Sequence, residues 1–211
     1  MRFTDLYIRP DNTIEALNMI SYAKRMKIGM IGIDLRSDVD LDKVTEHAGK
    51  LGIRIIYRYD VEGKRRSEIA KLLRRAPRNA IVTIIPQSID AARYAAVNKR
   101  VHMIRIPPGM EKIADKSTAK LFRDRGWGAI EVVLHHLLGP QRNNKWKHYY
   151  VTLRRAYSYN INVVLSSGAR NIHEMWHPYQ MAGIASLAGV PGEHAITWVS
   201  SVPAYITQIT H

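Results

Sequence analysis

Two short apolar runs, Ala129 to Leu134 and Ile161 to Ser166, flank a segment from Asn143 to Tyr159 whose length and apolar spacing suit a helix. Unbroken apolar runs of this length suit strands buried on both faces, as in parallel sheets. The stretch is therefore a βαβ unit. Its second strand ends in Ser166-Ser167-Gly168-Ala169, a small-residue turn, and Pro178 after His177 sits where proline opens a further helix.

The same alternation runs through the whole chain. Strands are expected at Leu6 to Arg9, Met30 to Leu35, Ile53 to Tyr59, Ala80 to Ile85 and Val101 to Ile106, with helices at Thr13 to Lys27, Asp40 to Leu51, Ser67 to Arg75, Ile89 to Asn98 and Lys116 to Arg125. Asp11, Asn12 and Thr13 offer a cap to the first helix, and Gly52 closes the second. An eighth strand is expected at Ala195 to Val199, followed by a short helix from Pro203 to Ile209. Eight βα units in 211 residues give a period of roughly 26, near the lower end for a single (β/α)8 TIM-type barrel. No linker, low-complexity tract or sequence repeat divides residues 1–211, so one domain is expected. A doubly wound open sheet is the alternative, although it rarely needs eight strands.

Charge narrows the partner class. Lys and Arg number 32 against 18 Asp and Glu, giving +14 and a pI near 10.1. A surplus this large points to a polyanion, and nucleic acid leads. Without cysteine there are no disulfides and no thiolate zinc fingers. No run approaches the roughly 18 apolar residues of a membrane span, and MRFTDLYIRPD lacks the apolar core of a signal peptide, so a cytoplasmic protein is expected, without membrane association.

The tempting catalytic motifs have bland alternatives. His173-Glu174-Met175-Trp176-His177 matches H-E-x-x-H, but Pro178 pushes the second histidine out of helical geometry, so a loop entering a helix is expected, not a zinc site. Barrels place their chemistry at the C-terminal strand ends. Those ends read Arg9, Arg36, Arg58 or Asp60, Gln87, Arg105, His135 and Arg170, mostly cations, and Asp34, Asp60 and Glu131 suit salt bridges as well as metal. Ser166-Ser167 lacks the setting of an activated nucleophile, and Gly168 before Arg170 reads first as a turn, second as an anion cradle.

Three basic clusters say more. Lys64, Arg65 and Arg66 lead into Lys71, Arg74, Arg75 and Arg78; Lys112, Lys116 and Lys120 lead into Arg123 and Arg125. The third, Arg142, Lys145, Lys147, His148, Arg154 and Arg155, is interleaved with Trp146, Tyr149, Tyr150 and Tyr157. Aromatics among cations can stack on unpaired bases while the cations contact phosphate. Solvated outer helices with the tyrosines packed inward are the alternative for any single residue.

The stretch from Gly128 to Val190 also resembles a known family. A strand ending near Glu131, a helix, a strand ending in SSGA at Ser166–Ala169, then Pro178-Tyr179 and Ala185-Ser-Leu-Ala-Gly-Val190 is similar to the archaeal ribonuclease P protein component 3, the thirty-kilodalton subunit family. Phe3-Thr-Asp-Leu6 and Arg93 ahead of Val101-His-Met-Ile-Arg-Ile106 extend the likeness. Trp176, His177, Gln180 and His135 depart from the family pattern. The resemblance implies a protein subunit that supports RNA-catalysed removal of the 5′ leader from precursor tRNA. Its implied partners are ribonuclease P RNA, precursor tRNA within the complex and a smaller ferredoxin-like ribonuclease P protein subunit. It implies no cofactor in the protein, and Mg²⁺ with the RNA. Family position places Arg93, Lys120, Arg125 and Lys147 among the RNA-binding residues; Lys112 and Arg170 join them from the basic clusters and strand ends. No catalytic or metal-binding residue is expected. A metal-dependent phosphoesterase of related barrel fold and a general RNA-binding structural protein are the alternatives.

Overall fold

The computed structural model describes residues 3–138 and 142–209, with side chains from residue 145 onward in the second segment. Strands and helices alternate: β1 Phe3–Ile8, α1 Thr13–Arg25, β2 Ile28–Asp34, α2 Leu41–Lys50, β3 Arg54–Gly63, α3 Arg66–Leu73, β4 Ile81–Pro86 and α4 Ile89–Val97. The series continues with β5 Met103–Arg105, α5 Lys116–Arg125, β6 Ala129–Val133, α6 Arg142–Ser158, β7 Val163–Ser166, α7 Pro178–Leu187, α8 Gly192–Thr197 and α9 Ser201–Ile206. Local chemistry starts the helices. Asn12, Asp40, Ser88 and Asp115 each accept a backbone N–H of the first turn, the bond that satisfies an otherwise orphaned donor.

The strands form one parallel seven-stranded sheet in chain order, curled into a TIM-type barrel as expected. The eighth strand expected at Ala195 to Val199 is absent. Pro191 precedes α8, which takes up the segment to Thr197, and only Trp198 and Val199 reach the gap between the first and last strands. There Thr4 N–H donates to Val199 O at 2.9 Å and Leu165 N–H to Trp198 O at 3.1 Å. At their other ends β1 and β7 meet directly, with Gly168 N–H donating to Tyr7 O at 2.8 Å and Arg9 N–H to Ala169 O at 2.7 Å. The gap is thus wedge-shaped. Two residues at its wide end complete a closure that a full strand would overfill.

The interior is layered. Leu6, Ile81, Met103, Ala129 and Val164 pack together near the strand starts, and Ile206 of α9 closes that end. A larger apolar cluster lies between the strands and α1 to α8. Above the apolar plug, toward the strand C-termini, the barrel is filled by charge. Gly32 is needed where β2 passes β1, because a Cβ there would collide with the Leu6 carbonyl.

Candidate nucleic-acid interface

The barrel mouth, where related folds keep their chemistry, is occupied by a closed ion network. Arg58, fully buried on β3, donates to Glu131 through Nη1 at 2.8 Å and Nη2 at 2.9 Å, a bidentate pair. It also reaches Asp60 at 2.9 Å, Thr83 Oγ1 at 3.0 Å and Leu6 O at 2.5 Å. Arg105 bridges the same two carboxylates, Glu131 at 2.8 Å and Asp60 at 2.9 Å. Both guanidinium carbons lie 4.1 Å from the centre of the Tyr7 ring. Ser166 adds an O–H to Glu131 at 2.9 Å.

Burial alone would push the Glu131 carboxyl up, but Arg105 and Arg58 overcome it and hold it down to about 2. Burial likewise opposes the charge on Arg58, and Asp60 and Glu131 restore it, raising its affinity for the proton. Asp5 lies below without a cation. Burial raises its carboxyl to about 6, against N–H bonds from Ser167 at 3.0 Å and Tyr7 at 3.2 Å. Nothing in composition marked Asp5 or Tyr7. The available signal was a carboxylate inside the apolar strand sequence FTDLYI.

The third carboxylate singled out at the strand ends is engaged as well. Asp34 pairs with Arg36 at 2.7 Å, while Asp60 and Glu131 belong to the network above. Among the described residues no group of three or more His, Asp or Glu could hold a metal ion. His173 lies in a single 3-10 turn and His177 is the N-cap of α7, its ring accepting the Tyr179 N–H at 3.3 Å. The H-E-x-x-H segment is therefore the loop the proline implied. Glu174 accepts the Arg170 N–H at 2.9 Å and lies 3.2 Å from His135 Nδ1.

The basic candidates fall into two groups. Arg93 on α4 pairs with Asp115 at 2.5 Å and donates to Thr118, so it ties α4 to the capped start of α5. Arg125 donates to Asn98 O at 2.7 Å, Trp127 O at 3.0 Å and Ala95 O at 3.2 Å, and lies 3.9 Å from the Trp127 ring centre. Burial lowers its proton affinity to about 10. These two arginines are occupied by the protein itself. Lys112, Lys120, Lys147 and Arg170 are exposed. Lys112, Lys120 and Lys147 lie on neighbouring elements, because His148 of α6 meets Glu111 at 2.7 Å beside Lys112. Arg170 stands apart in the β7–α7 loop, where Ile172 N–H donates to Glu15 of α1 at 3.2 Å.

The aromatics of α6 turn mostly inward. Tyr149 is buried and donates to Val133 O at 2.6 Å, and Trp146 and Tyr150 are half-buried. Tyr157, at the edge of exposure, meets His194 ring to ring. Tyr149 thus packs the core and offers no face to a base. The Arg142 side chain lies outside the described residues.

A family model described as RNase P subunit p30 matches residues 2–209. The ribonuclease P protein component 3 of Aeropyrum pernix is 44% identical over 120 residues, 56% of this chain and 57% of the relative. That of Methanosarcina barkeri is 27% identical over 124 residues, 56% of this chain and 51% of the relative. The matched part of the chain thus spans about half the length of these curated relatives. A chain of the cryo-EM structure of archaeal ribonuclease P with mature tRNA superposes with a TM-score of 0.76 at 18% identity, covering 93% of this chain and 88% of that one. A crystal structure of an uncharacterized protein gives 0.61 at 12% identity, covering 99% and 75%. At these identities the structural likeness is one of fold.

Proposed function

The chain belongs to the RNase P subunit p30 family, and from that premise we propose that it is a non-catalytic protein subunit of ribonuclease P, supporting RNA-catalysed removal of the 5′ leader from precursor tRNA. The observation that carries the non-catalytic part is the barrel mouth. Asp34, Asp60 and Glu131, the three carboxylates at its strand ends, are tied to Arg36, Arg58 and Arg105, which engages them against service as metal ligands or as a general base. Phosphodiester chemistry then falls to the RNA with its own Mg²⁺. The protein contributes cations, which neutralise phosphates brought close together in the folded RNA.

Of the six candidate RNA-binding cations, Lys112, Lys120, Lys147 and Arg170 have free charged ends, so they can reach phosphate directly. Arg93 and Arg125 act first by fixing α4 against α5. The expected partners are ribonuclease P RNA, precursor tRNA within the complex and a smaller ferredoxin-like protein subunit, meeting in the cytoplasm. No helix among the described residues is long and apolar enough to cross a membrane.

The test is an omission experiment. Precursor tRNA is incubated with the chain alone, with cognate RNA plus the smaller subunit, and with all three, at Mg²⁺ too low for the RNA alone. Cleavage only with all three supports the reading. Cleavage by the chain alone, abolished by chelator, would restore the phosphoesterase alternative.

A further inference from the structure

We propose that the barrel face at the N-terminal ends of the strands, centred on Arg54, Arg78 and Arg100, docks the phosphate backbone of RNA; this rests on the RNA-binding reading above and adds a second surface to it. The surplus charge of the chain is unevenly placed. In the connections from strand to helix, Arg9, Arg36, Lys64, Arg65, Lys112 and Arg170 are matched one for one by Asp11, Asp38, Asp40, Glu111, Asp115 and Glu174. In the connections leading from α1 to α6 back to the next strand, Lys27, Arg74, Arg75, Arg78, Lys99 and Arg100 stand without a carboxylate.

Helix dipoles explain part of this. They favour cations in the last turn, where Lys24, Arg25, Lys50, Arg123 and Arg125 lie, but the effect fades beyond that turn. Arg78 and Lys99 lie past it. Arg74, Arg75, Arg78 and Lys99 are exposed and have no ion-pair partner among the described residues.

The face also has shape. Two adjoining cavities of about 360 and about 190 Å³ share Arg78, Ala80 and His102; Arg100 lines the first and Arg54 the second. The flanking arginines are held by neutral partners, so their charge is fixed in place but not cancelled. Arg100 donates to Leu73 O at 3.0 Å and Ala76 O at 2.7 Å, and Arg54 to Thr207 Oγ1 at 2.9 Å. His102 accepts the Val82 N–H at Nδ1, so Nε2 carries the hydrogen toward Ile209 O and the ring packs as a neutral group. Arginine outnumbers lysine here, and its planar fork suits bidentate contact with phosphate.

The mouth cavity at the other end is electrically mixed. The mouth cavity, about 550 Å³, places Asp11, Asp34 and Asp60 beside Arg9, Arg36 and Arg105. An acidic protein is the rival occupant of the basic face. Such an interface needs an apolar centre, and the connections that carry these cations expose no large hydrophobic side chain; Val97 and Tyr205, exposed at this end, lie on α4 and α9.

The test compares two sets of equal charge reduction in the full chain. One replaces Arg74, Arg75, Arg78 and Lys99 with Gln; the other replaces Arg9, Lys43, Lys64 and Arg65. Circular dichroism and thermal melting establish folding, and filter binding measures affinity for in vitro transcribed ribonuclease P RNA and for polyglutamate at 0.1 M salt. Each phosphate left without its cation weakens binding by roughly eightfold under these conditions, so the first set should weaken RNA binding by about 50-fold or more. The second set lies beyond a Debye length of about 10 Å and should weaken it by about threefold or less. Equal weakening by both sets would overturn the proposal, since net charge and not this face would then set affinity. Retained RNA affinity with abolished polyglutamate binding would assign the face to an acidic protein and also overturn it. If the wild-type chain fails to bind the RNA, the functional reading itself falls, and the proposal with it.

Discussion

Glu131 is the residue on which the barrel mouth depends. It faces two buried or nearly buried guanidinium groups, and Glu131→Gln would leave them sharing Asp60 alone. Breaking a buried network by removing one partner costs about 3–5 kcal/mol, so urea denaturation should show a loss of that order. Asp5 has the opposite sign. Its folded carboxyl is raised to about 6, so its contribution is fully present below the unfolded value near 3.8 and is lost as pH rises through 6. A shift of this size amounts to roughly 2–3 kcal/mol against the charged form. Asp5→Asn keeps an acceptor for Ser167 and Tyr7; it should be more stable than wild type at pH 8, and this advantage should shrink to roughly a third by pH 4.5. The depressed Glu131 weakens the fold only as pH falls from about 4.5 toward 2, outside that window. Equal effects of Asp5→Asn at both pH values would contradict the assignment. The candidate cations also separate by stability. Arg125→Ala removes three hydrogen bonds to carbonyls and the stack on Trp127, for about 2 kcal/mol, whereas Lys120→Ala and Lys147→Ala should change stability by about 0.5 kcal/mol or less.

At the scale of elements, periodicity revealed most of the fold. The strands and helices from β1 to α7 fall within a few residues of the runs that suggested them, because buried parallel strands must be apolar throughout and their helices must be amphipathic. The eighth strand was not legible. Ala195 to Val199 has strand-like composition, but β1 and β7 already meet at one end, and only Trp198 and Val199 have a ladder to join. Basic clusters were legible as clusters but not by face. Lys64, Arg65 and Arg66 lie close in sequence to Arg74, Arg75 and Arg78, yet α3 rises about 12 Å between them and puts the halves at opposite ends of the barrel. The ion network was only half legible: the sequence supplied Asp60, Glu131 and nearby arginines, while their closure around Tyr7 depends on β1, β3, β5 and β6 meeting in a ring. Close packing there allows a sharp test. Gly32→Ala drives a methyl into the Leu6 carbonyl, so the variant should lose soluble expression or melt well below wild type, while Gly183→Ala, with open space around its Cβ, should not.

For the whole molecule, fold and charge lead to one division of labour. A TIM-type barrel in which Asp34, Asp60 and Glu131 at the mouth are paired with arginines uses these carboxylates to hold its scaffold. On the proposed reading its surplus of +14 serves phosphate. A protein acting as counterion should change how much Mg²⁺ the RNA needs, not how fast it cleaves once Mg²⁺ saturates. A general acid or base would instead contribute about 10²- to 10⁴-fold to rate at every Mg²⁺ concentration. The direct measurement is the single-turnover cleavage rate of precursor tRNA by cognate RNA and the smaller subunit, titrated with Mg²⁺ in the presence and absence of this chain. The expected result is a midpoint shifted to lower Mg²⁺ with a nearly unchanged plateau; an unmoved midpoint, or a plateau that no Mg²⁺ concentration restores without the chain, would contradict the counterion role.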